Sequence, residues 1–437
     1  MKKSLLAIAA IGAFASTAQA QSSVTIYGIL DVGYIGSNSS QQQSNTAATP
    51  NYATNAAYPN ATQKATNSFL GTSAEQTSRL GFKGTEDLGG GSSAFFTLET
   101  GLTPNSTNLS TFNNRQAFVG LAKKGLGDAA VGTQYTPIHI AVGKTDPGMQ
   151  NNMIGSVIYT GGADSGTALF TTGTNAATSA YQSRTSNAVT FNSEMLAGFQ
   201  GHAIAILNNS NATTINSTTA GSTGNVATGG NTNTNGWGLG VDYTWNKLFA
   251  TANYVALKQL TTATNQTAGG TTAASAGITN TGAWALWTGA QAATNVQDNT
   301  AYVGATYDFG ILKAYASWIS RKATDTANSG YYQKRQAEQI GVRSFVTPTV
   351  EAWASAGVGT FTPYGVNQNS AHFNAWQLGS NYYLSKRTNL YAIYGQFAQA
   401  TAGYNSQTPA QVAAGTATAG QASANQNSYA VGIRHTF

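Results

Sequence analysis

The 437-residue sequence contains no cysteine, and only 8% of its residues are charged. The absence of cysteine excludes both a disulfide framework and a lipid-modified N-terminal cysteine. Soluble domains ordinarily carry about 25% charged residues. The low charge is therefore unusual for a protein whose whole surface faces water.

Long hydrophobic runs are also scarce. Beyond the first 20 residues, no uninterrupted apolar stretch reaches the length of about 18 residues that a transmembrane helix needs. The N-terminus itself has a basic start at Lys2 and Lys3, an apolar run over 5–15 and a small-residue pattern ending at Ala20. This arrangement predicts a secretory signal peptide over 1–20, cleaved after Ala20, and a mature chain over 21–437.

Runs of basic residues are missing, although the formal net charge is +6. Lysine and arginine occur at most as pairs, such as Lys123-Lys124 and Arg321-Lys322. Nucleic-acid binding requires basic residues gathered in a stripe or run. The sequence therefore predicts no nucleic-acid partner.

Catalytic and metal-binding patterns do not stand out either. The four histidines are not spaced as a metal-binding pair on one helix; they are His139, His202, His372 and His435. No Gly-x-Ser-x-Gly context is apparent, although a Ser-His-acid hydrolase built into a sheet stays open as an alternative. We predict that the protein is not an enzyme and needs no cofactor and no metal.

What the sequence does contain is a two-residue alternation of apolar and polar side chains, which is typical of β-strands with one apolar face. In the first such segment Val24, Ile26 and Leu30 share one face, and Thr25 and Asp31 share the other. Sixteen segments of this kind are predicted, beginning near Val24, Glu75, Gly91, Phe112, Asp128, Arg184, Leu196, Gly236, Lys247, Asp298, Ile311, Lys334, Thr349, Phe373, Arg387 and Gln426.

The connectors between these segments alternate between short and long. Short ones contain Gly, Asn or Pro, which suit tight turns. The long ones are rich in Asn, Thr, Ser, Gly and Ala; they are 35–74, 137–183, 208–235, 259–297 and 400–425. Alternating connectors are typical of an up-and-down barrel in a membrane, with turns on one side and loops on the other. A β-sandwich is the alternative, but its loops rarely alternate in this way.

Five segments carry a family resemblance: "SSVTIYGILDVGY", "SRLGFKGTEDLGGG", "NRQAFVGLAKKGLGDAAVGTQY", "YYLSKRTNLYAIYG" and "YAVGIRHTF". Together they resemble the general porins of Gram-negative outer membranes, especially the β-proteobacterial type. The resemblance implies an all-β fold, a 16-stranded antiparallel transmembrane barrel with a third loop folded inward. It also implies a homotrimer in outer-membrane lipid, and a C-terminal aromatic, Phe437, that the barrel-assembly machinery recognises.

Arginine and lysine residues in three predicted strands are candidates for the pore wall. By alternation Arg79 and Lys83 lie opposite Leu80 and Phe82, and Arg115 lies opposite Phe118. A guanidinium stays ionised, so it needs water or an acid beside it. The resemblance implies that Arg79 and Arg115 line the pore constriction, with Arg184 and Lys83 added by looser analogy; the alternative is that these residues are solvated rim charges.

The connector 137–183 resembles the loop that narrows the pore in this family. Its only acids are Asp146 and Asp164, which we predict to be the constriction-loop acids. The loop reads "GKTDPGMQNNMIGS" where family members often have a Pro-Glu-Phe-Gly-Gly-like stretch, so Asp146 is the best candidate rather than a motif match. Since bases outnumber acids at the constriction, we expect a mild preference for anions.

These inferences combine into a water-filled channel for passive diffusion of ions and small polar solutes across the outer membrane. A barrel of about sixteen strands leaves a lumen that side chains do not fill. Two alternatives stay open at this point: a solute-specific channel, and an exported adhesin or autotransporter fragment. The latter would confine the barrel to the C-terminal part, whereas strand patterns here begin soon after the predicted cleavage site.

Overall fold

The described part of the chain is built almost wholly from strands. The computed structural model describes residues 23–45, 62–107, 114–159, 180–217, 226–261, 266–267, 294–326, 329–330, 332–365, 370–405 and 419–437. The predicted signal peptide, 1–20, lies outside these residues. No helix within the described ranges is long and apolar enough to cross a membrane.

The described residues form eighteen strand elements and one helix. They are β1 (Ser23–Asn45), β2 (Thr62–Thr72), β3 (Arg79–Gly89), β4 (Ser92–Gly101), β5 (Asn114–Lys123), β6 (Gly127–Tyr135), α1 (Pro137–Thr145), β7 (Arg184–Ser193), β8 (Phe199–Ser217), β9 (Val226–Trp245), β10 (Leu248–Thr261), β11 (Gln266–Thr267), β12 (Thr294–Asp308), β13 (Lys313–Asp325), β14 (Tyr332–Phe345), β15 (Val350–Gly365), β16 (Ala371–Tyr383), β17 (Thr388–Asn405) and β18 (Ala419–Thr436).

All these strands belong to one antiparallel sheet that closes on itself. The sheet closes because β1 pairs with β18 on one side and with β2 and β3 on the other. β2 and β3 pair with successive parts of β1 and so share one position in the barrel. β10 and the short β11 likewise pair with successive parts of β9. The eighteen elements therefore fill sixteen barrel positions. The predicted 16-stranded barrel is confirmed, and the sandwich alternative is excluded by the closure.

Side chains alternate across the barrel wall as the sequence predicts. On β16, Leu378 and Tyr382 point outward and are 51% and 48% exposed. Their neighbours Gln377 and Asn381 point inward and are each 1% exposed. An apolar outer face and a polar inner face are what a strand needs between lipid and water.

The predicted long connectors are shorter than expected at three places. β1 continues to Asn45, β8 and β9 extend to Ser217 and from Val226, and β17 and β18 extend to Asn405 and from Ala419. The predicted loops 35–74, 208–235 and 400–425 are therefore partly wrong. These polar stretches lack an apolar alternation, but their backbones still pair across the sheet beyond the apolar belt.

The strand predicted to begin near Glu75 begins at Arg79 instead, because residues 73–78 leave the sheet between β2 and β3. Asp31 holds this segment: its Oδ2 accepts hydrogen bonds from the backbone N–H groups of Glu75 (2.8 Å) and Gln76 (2.7 Å). Its Oδ1 accepts one from the hydroxyl of Tyr391 (2.6 Å). A buried carboxylate with three donors is satisfied, so Asp31 fixes an inward turn in the wall.

The helix α1 lies inside the barrel at the start of the connector after β6. Pro137 occupies its first turn, and the side chain of Thr136 caps it by accepting from the N–H of His139. Its apolar residues Ile138 and Val142 are buried against the inner faces of later strands. The helix therefore brings the connector into the lumen.

Candidate functional site

Arg115 reaches the lumen through an irregularity in the sheet. The register of β4 and β5 shifts between Glu99 and Thr100, so Arg115 turns inward although Val119 and Leu121, with the same parity, point outward. Its Nε donates to Glu99 Oε1 (2.7 Å) and its Nη2 to the hydroxyl of Tyr135 (2.7 Å). The bulge therefore places a guanidinium on the wall above the helix.

Glu99 is the acid that organises this wall. Besides Arg115, it faces the Nε of Arg79 at 4.0 Å and accepts a hydrogen bond from the Tyr27 hydroxyl (3.1 Å). Its side chain is only 4% exposed, whereas those of Arg79 and Arg115 are 22% and 13% exposed. The carboxylate thus orients two guanidinium groups from beneath while they stay open to the lumen.

Arg184 joins the two other arginines at one cavity of about 210 Å³. Among the described residues it forms no ion pair with an acid. Three guanidinium groups therefore meet one carboxylate here. The wall and loop residues around the cavity include Arg79, Arg115, Tyr135, His139, Gly143, Gln150 and Arg184.

The loop side of the cavity carries no charge in its described part. His139 on α1 stacks on Tyr135, with ring centroids 4.3 Å apart. Burial, together with the positive charges of Arg115, Arg184 and Arg79, lowers the pKa of His139 to about 3. The imidazole is consequently neutral at physiological pH and faces the arginines as a polar but uncharged group.

Asp146 does not line this cavity. It follows α1, is 2% exposed, and its carboxylate accepts from the N–H of Gln150 (2.7 Å) and from Nε2 of Gln339 (3.0 Å). Burial raises the pKa of this carboxyl group. The structure thus places Asp146 between loop and wall, where it anchors the loop; Asp164 lies outside the described residues.

Further contacts pin the loop to the wall of later strands. Asn151 and Gln377 exchange two amide hydrogen bonds, of 2.8 and 2.7 Å. Gln339 Oε1 accepts from the hydroxyl of Ser156 (2.9 Å) and the N–H of Val157 (3.0 Å). These bonds join the loop to β14 and β16, across the barrel from the arginines on β3, β5 and β7.

Glycines in that wall leave room for the loop backbone. A β-carbon at Gly395 would collide with the carbonyl oxygen of Ile154, and one at Gly357 would collide with the side chain of Val157. Asn152 also donates its N–H to the carbonyl of Ala74 (3.0 Å), in the inward turn at 73–78, which packs against Tyr391 and Ile393 of β17. The loop is therefore held by β15, β17 and the inward turn beside β17.

The remaining predicted site residues lie away from the cavity. Lys83 is on the same wall, nearer the short turns, with its Nζ 5.5 Å from the ring centroid of Tyr27. Lys144, which is on α1 and was not among the predicted site residues, pairs with Asp242 (2.6 Å). Phe437 exchanges two backbone hydrogen bonds with Gly28, of 3.0 and 3.1 Å, and so continues the β18 side of the barrel closure.

Sequence reasoning missed Glu99, the acid at the centre of the wall. In β4, Phe96 and Leu98 carry the outward parity, and Leu98 is 51% exposed. The same alternation assigns Glu99 to the lumen, so the signal was present in the sequence. Within the described residues, no group of three or more His, Asp or Glu side chains could hold a metal ion.

Comparison with known proteins gives the family. A family model described as Gram-negative porin matches residues 7–399. The chain is 39% identical over 139 residues to outer membrane porin protein 32 of Delftia acidovorans, covering 31% of this chain and 33% of that protein. It is 36% identical over 152 residues to an outer membrane porin of Bordetella pertussis, covering 34% and 37%. These matches span about a third of each relative's length.

Solved structures share the fold across the whole chain. An anion-selective porin from Comamonas acidovorans matches with a TM-score of 0.55 and 20% identity, covering 95% of this chain and all 100% of that one. The trimer form of OmpT from Vibrio cholerae matches with a TM-score of 0.54 and 12% identity, covering 95% and 99%. The chain therefore belongs to the Gram-negative porin family and is a β-barrel of the outer membrane.

Proposed function

We propose that the barrel conducts small hydrophilic solutes and ions by passive diffusion, with a mild preference for anions. The observation that carries this preference is the cavity where Arg79, Arg115 and Arg184 meet Glu99 as their one described acid. One unit charge about 5 Å from an ion in water contributes about 0.8 kcal/mol. A small excess of positive charge therefore biases permeation without creating a tight binding site.

The role of each predicted site residue follows from its position. The three arginines form the basic wall, and Lys83 extends it toward the short turns. Asp146 contributes as the anchor of the loop rather than as a lumen charge. Asp164 keeps the predicted role of a facing acid on the loop.

Conductance in a planar bilayer tests the channel. A general diffusion channel gives a conductance that rises nearly linearly with salt, and a reversal potential of the anion-selective sign in a salt gradient. Selectivity should weaken as salt rises, because charges are screened over about 8 Å at 0.15 M. Conductance that saturates at low solute concentration would instead indicate the solute-specific alternative, and an absence of conductance would contradict the proposal.

A homotrimer, recognition of Phe437 by the barrel-assembly machinery, and cleavage after Ala20 complete the proposal. The trimer form of the Vibrio cholerae structure supports the first, and the position of Phe437 at the barrel closure supports the second. Native mass spectrometry of the protein extracted from membranes measures both the subunit number and the mature mass. A monomer, or a mass that retains residues 1–20, would contradict the corresponding part.

A further inference from the structure

The outer face of β13 and β14 carries two lysines directly opposite each other. Lys322 and Lys334 are cross-strand partners on the outward face, toward the long loops, and Arg321 and Arg335 are partners on the lumen face of the neighbouring rung. Like charges that face each other across a strand pair destabilise the pairing. This strand pair therefore needs negative charge nearby on both faces.

On the lumen face an acid pairs with Arg321, whereas on the outer face no acid pairs with either lysine among the described residues. Arg321 is buried with Asp298, whose carboxylate accepts from the guanidinium at 3.0 and 3.1 Å. Outside, Lys322 lies over the ring of Tyr332, with Nζ 4.3 Å from the centroid. In the described part of the chain, neither Lys322 nor Lys334 forms an ion pair. An anion from outside the chain would offset this repulsion.

A groove of about 430 Å³ lies on the same outer face, beside the lysines. Lys334, Gln336 and Glu338 follow each other along β14 at alternate positions, so about 7 Å separates each from the next. Glu338 is an exposed carboxylate on the outer face. The next outward residue on this strand, Ile340, is apolar and 67% exposed. The polar and apolar side chains that line the groove include Trp318, Gln336, Glu338, Val358, Thr360 and His372.

The order of chemistry down this face identifies the occupant. From the loops toward the membrane it presents two ammonium groups, then the amide of Gln336 and the hydroxyl of Thr360, and then the carboxylate of Glu338 level with Trp318 and Val358. A lipid with phosphates, sugar hydroxyls and acyl chains presents the complementary groups in the same order. We propose that Lys322, Lys334 and this groove bind the phosphate-bearing saccharide headgroup of an outer-leaflet lipid.

In this complex the ammonium groups pair with lipid phosphate, and Glu338 and Gln336 hydrogen bond to sugar hydroxyls. Trp318 and Val358, 38% and 50% exposed, contact the first carbons of the acyl chains. A free phosphate ion would use only the lysines and leave the groove empty. The combination of charged and apolar contacts therefore favours an amphiphile.

Native mass spectrometry of the delipidated protein in detergent tests the proposal, with lipid A as the probe and a chelator to remove bridging cations. Diphosphorylated lipid A should bind more tightly than its dephosphorylated form. Lys322→Gln/Lys334→Gln should weaken binding of the diphosphorylated form by about three- to tenfold, because two exposed ion pairs are lost. Lys64→Gln, which changes an exposed lysine on β2, is the matched control and should have no effect.

Three results would overturn the proposal. Equal affinity for the two lipid forms, or an unchanged affinity in the double variant, would show that the lysines do not bind phosphate. Competition by inorganic phosphate as strong as that by the lipid would show that the groove takes a free ion. A changed subunit number in the double variant would show that this face is a contact between copies of the chain. Each variant is first checked for the barrel's far-ultraviolet circular dichroism.

Discussion

Two walls of the same barrel differ in what faces the lumen: one presents charged side chains and the other is covered by the loop. The wall of β3, β5 and β7 holds three arginines open to water around one buried carboxylate, Glu99. The wall of β14 to β17 is covered by the inward loop, held by amide pairs such as Asn151 and Gln377 and by contacts that only glycines permit. The first wall provides charge and the second provides position, so substitutions on the two walls should separate selectivity from pore size.

The largest effect is expected when the charge of the first wall is removed. In Arg79→Ser/Arg115→Ser/Arg184→Ser, Glu99 becomes the unmatched charge of the cavity. We expect the anion-to-cation permeability ratio to fall by up to about sixtyfold and the reversal potential to change sign, since each of the three charges contributes about 0.8 kcal/mol, or about fourfold, at 5 Å. The matched triple lysine variant keeps the charges and should keep the sign; loss of anion preference in both would point to altered packing instead.

Disturbing the second wall should change pore size. Gly395→Val forces a side chain against the carbonyl of Ile154, and overpacking of this kind costs about 1–3 kcal/mol. We expect the loop to lose its contacts with the barrel wall. Single-channel conductance should then rise with little change in ion preference. Gly101→Val is the control, because no atom lies within 4 Å of a β-carbon there. Equal conductance changes in the two variants would contradict the proposed seat.

The acid of the arginine wall and the acid of the loop should respond differently to neutralisation. Glu99→Gln removes the negative charge beneath the arginines and should increase anion preference by up to about fourfold. Asp146→Asn removes a charge that is 2% exposed, so it should leave the reversal potential unchanged and weaken the loop contacts to Gln339. Identical shifts in reversal potential would mean that Asp146 acts on the permeating ions.

The smallest effect concerns pH and the loop helix. Because the pKa of His139 is about 3 when the loop is seated and about 6.5 when it is free, protonation favours the free loop. The bound position of the loop is therefore most stable above about pH 6.5 and loses stability as the pH falls toward 3. Hydrogen exchange of the α1 amides should accelerate over this range, after correction for intrinsic exchange.

His139→Gln serves as the control for this pH dependence. It removes the titrating imidazole but leaves other groups, including Asp146, whose carboxyl has a raised pKa and titrates in the opposite sense. The difference between wild type and variant isolates the histidine. A pH profile that is the same in both proteins would contradict the assignment.

The barrel could be predicted from the sequence because it depends on a local rule. Alternation at residues such as Leu378 and Asn381 assigns each side chain to lipid or lumen, and short connectors define the turns. Strand ends were harder to predict, since Ser217 and Asn405 lie in polar stretches of sequence without apolar alternation. In these stretches the backbone pairs with the neighbouring strand, but the side-chain pattern in the sequence does not indicate a strand.

The site depended on features that no short pattern reveals. Parity assigned Arg115 and Phe118 to opposite faces, yet both face the lumen, because a bulge resets the alternation beside Glu99. The inward turn at 73–78 and the buried position of Asp146 depend on partners far away in sequence, such as Tyr391 and Gln339. Bulges and distant partners are properties of the folded sheet, so single-sequence reasoning does not find them.

Anomalous diffraction from crystals soaked in bromide tests the central claim most directly, namely that the arginine wall attracts anions into the lumen. We expect a bromide peak in the cavity beside Arg184, the guanidinium that has no described acid partner. In crystals of Arg184→Gln that peak should weaken or disappear. A cavity without bromide in the wild-type protein, or one that binds rubidium in its place, would contradict the account.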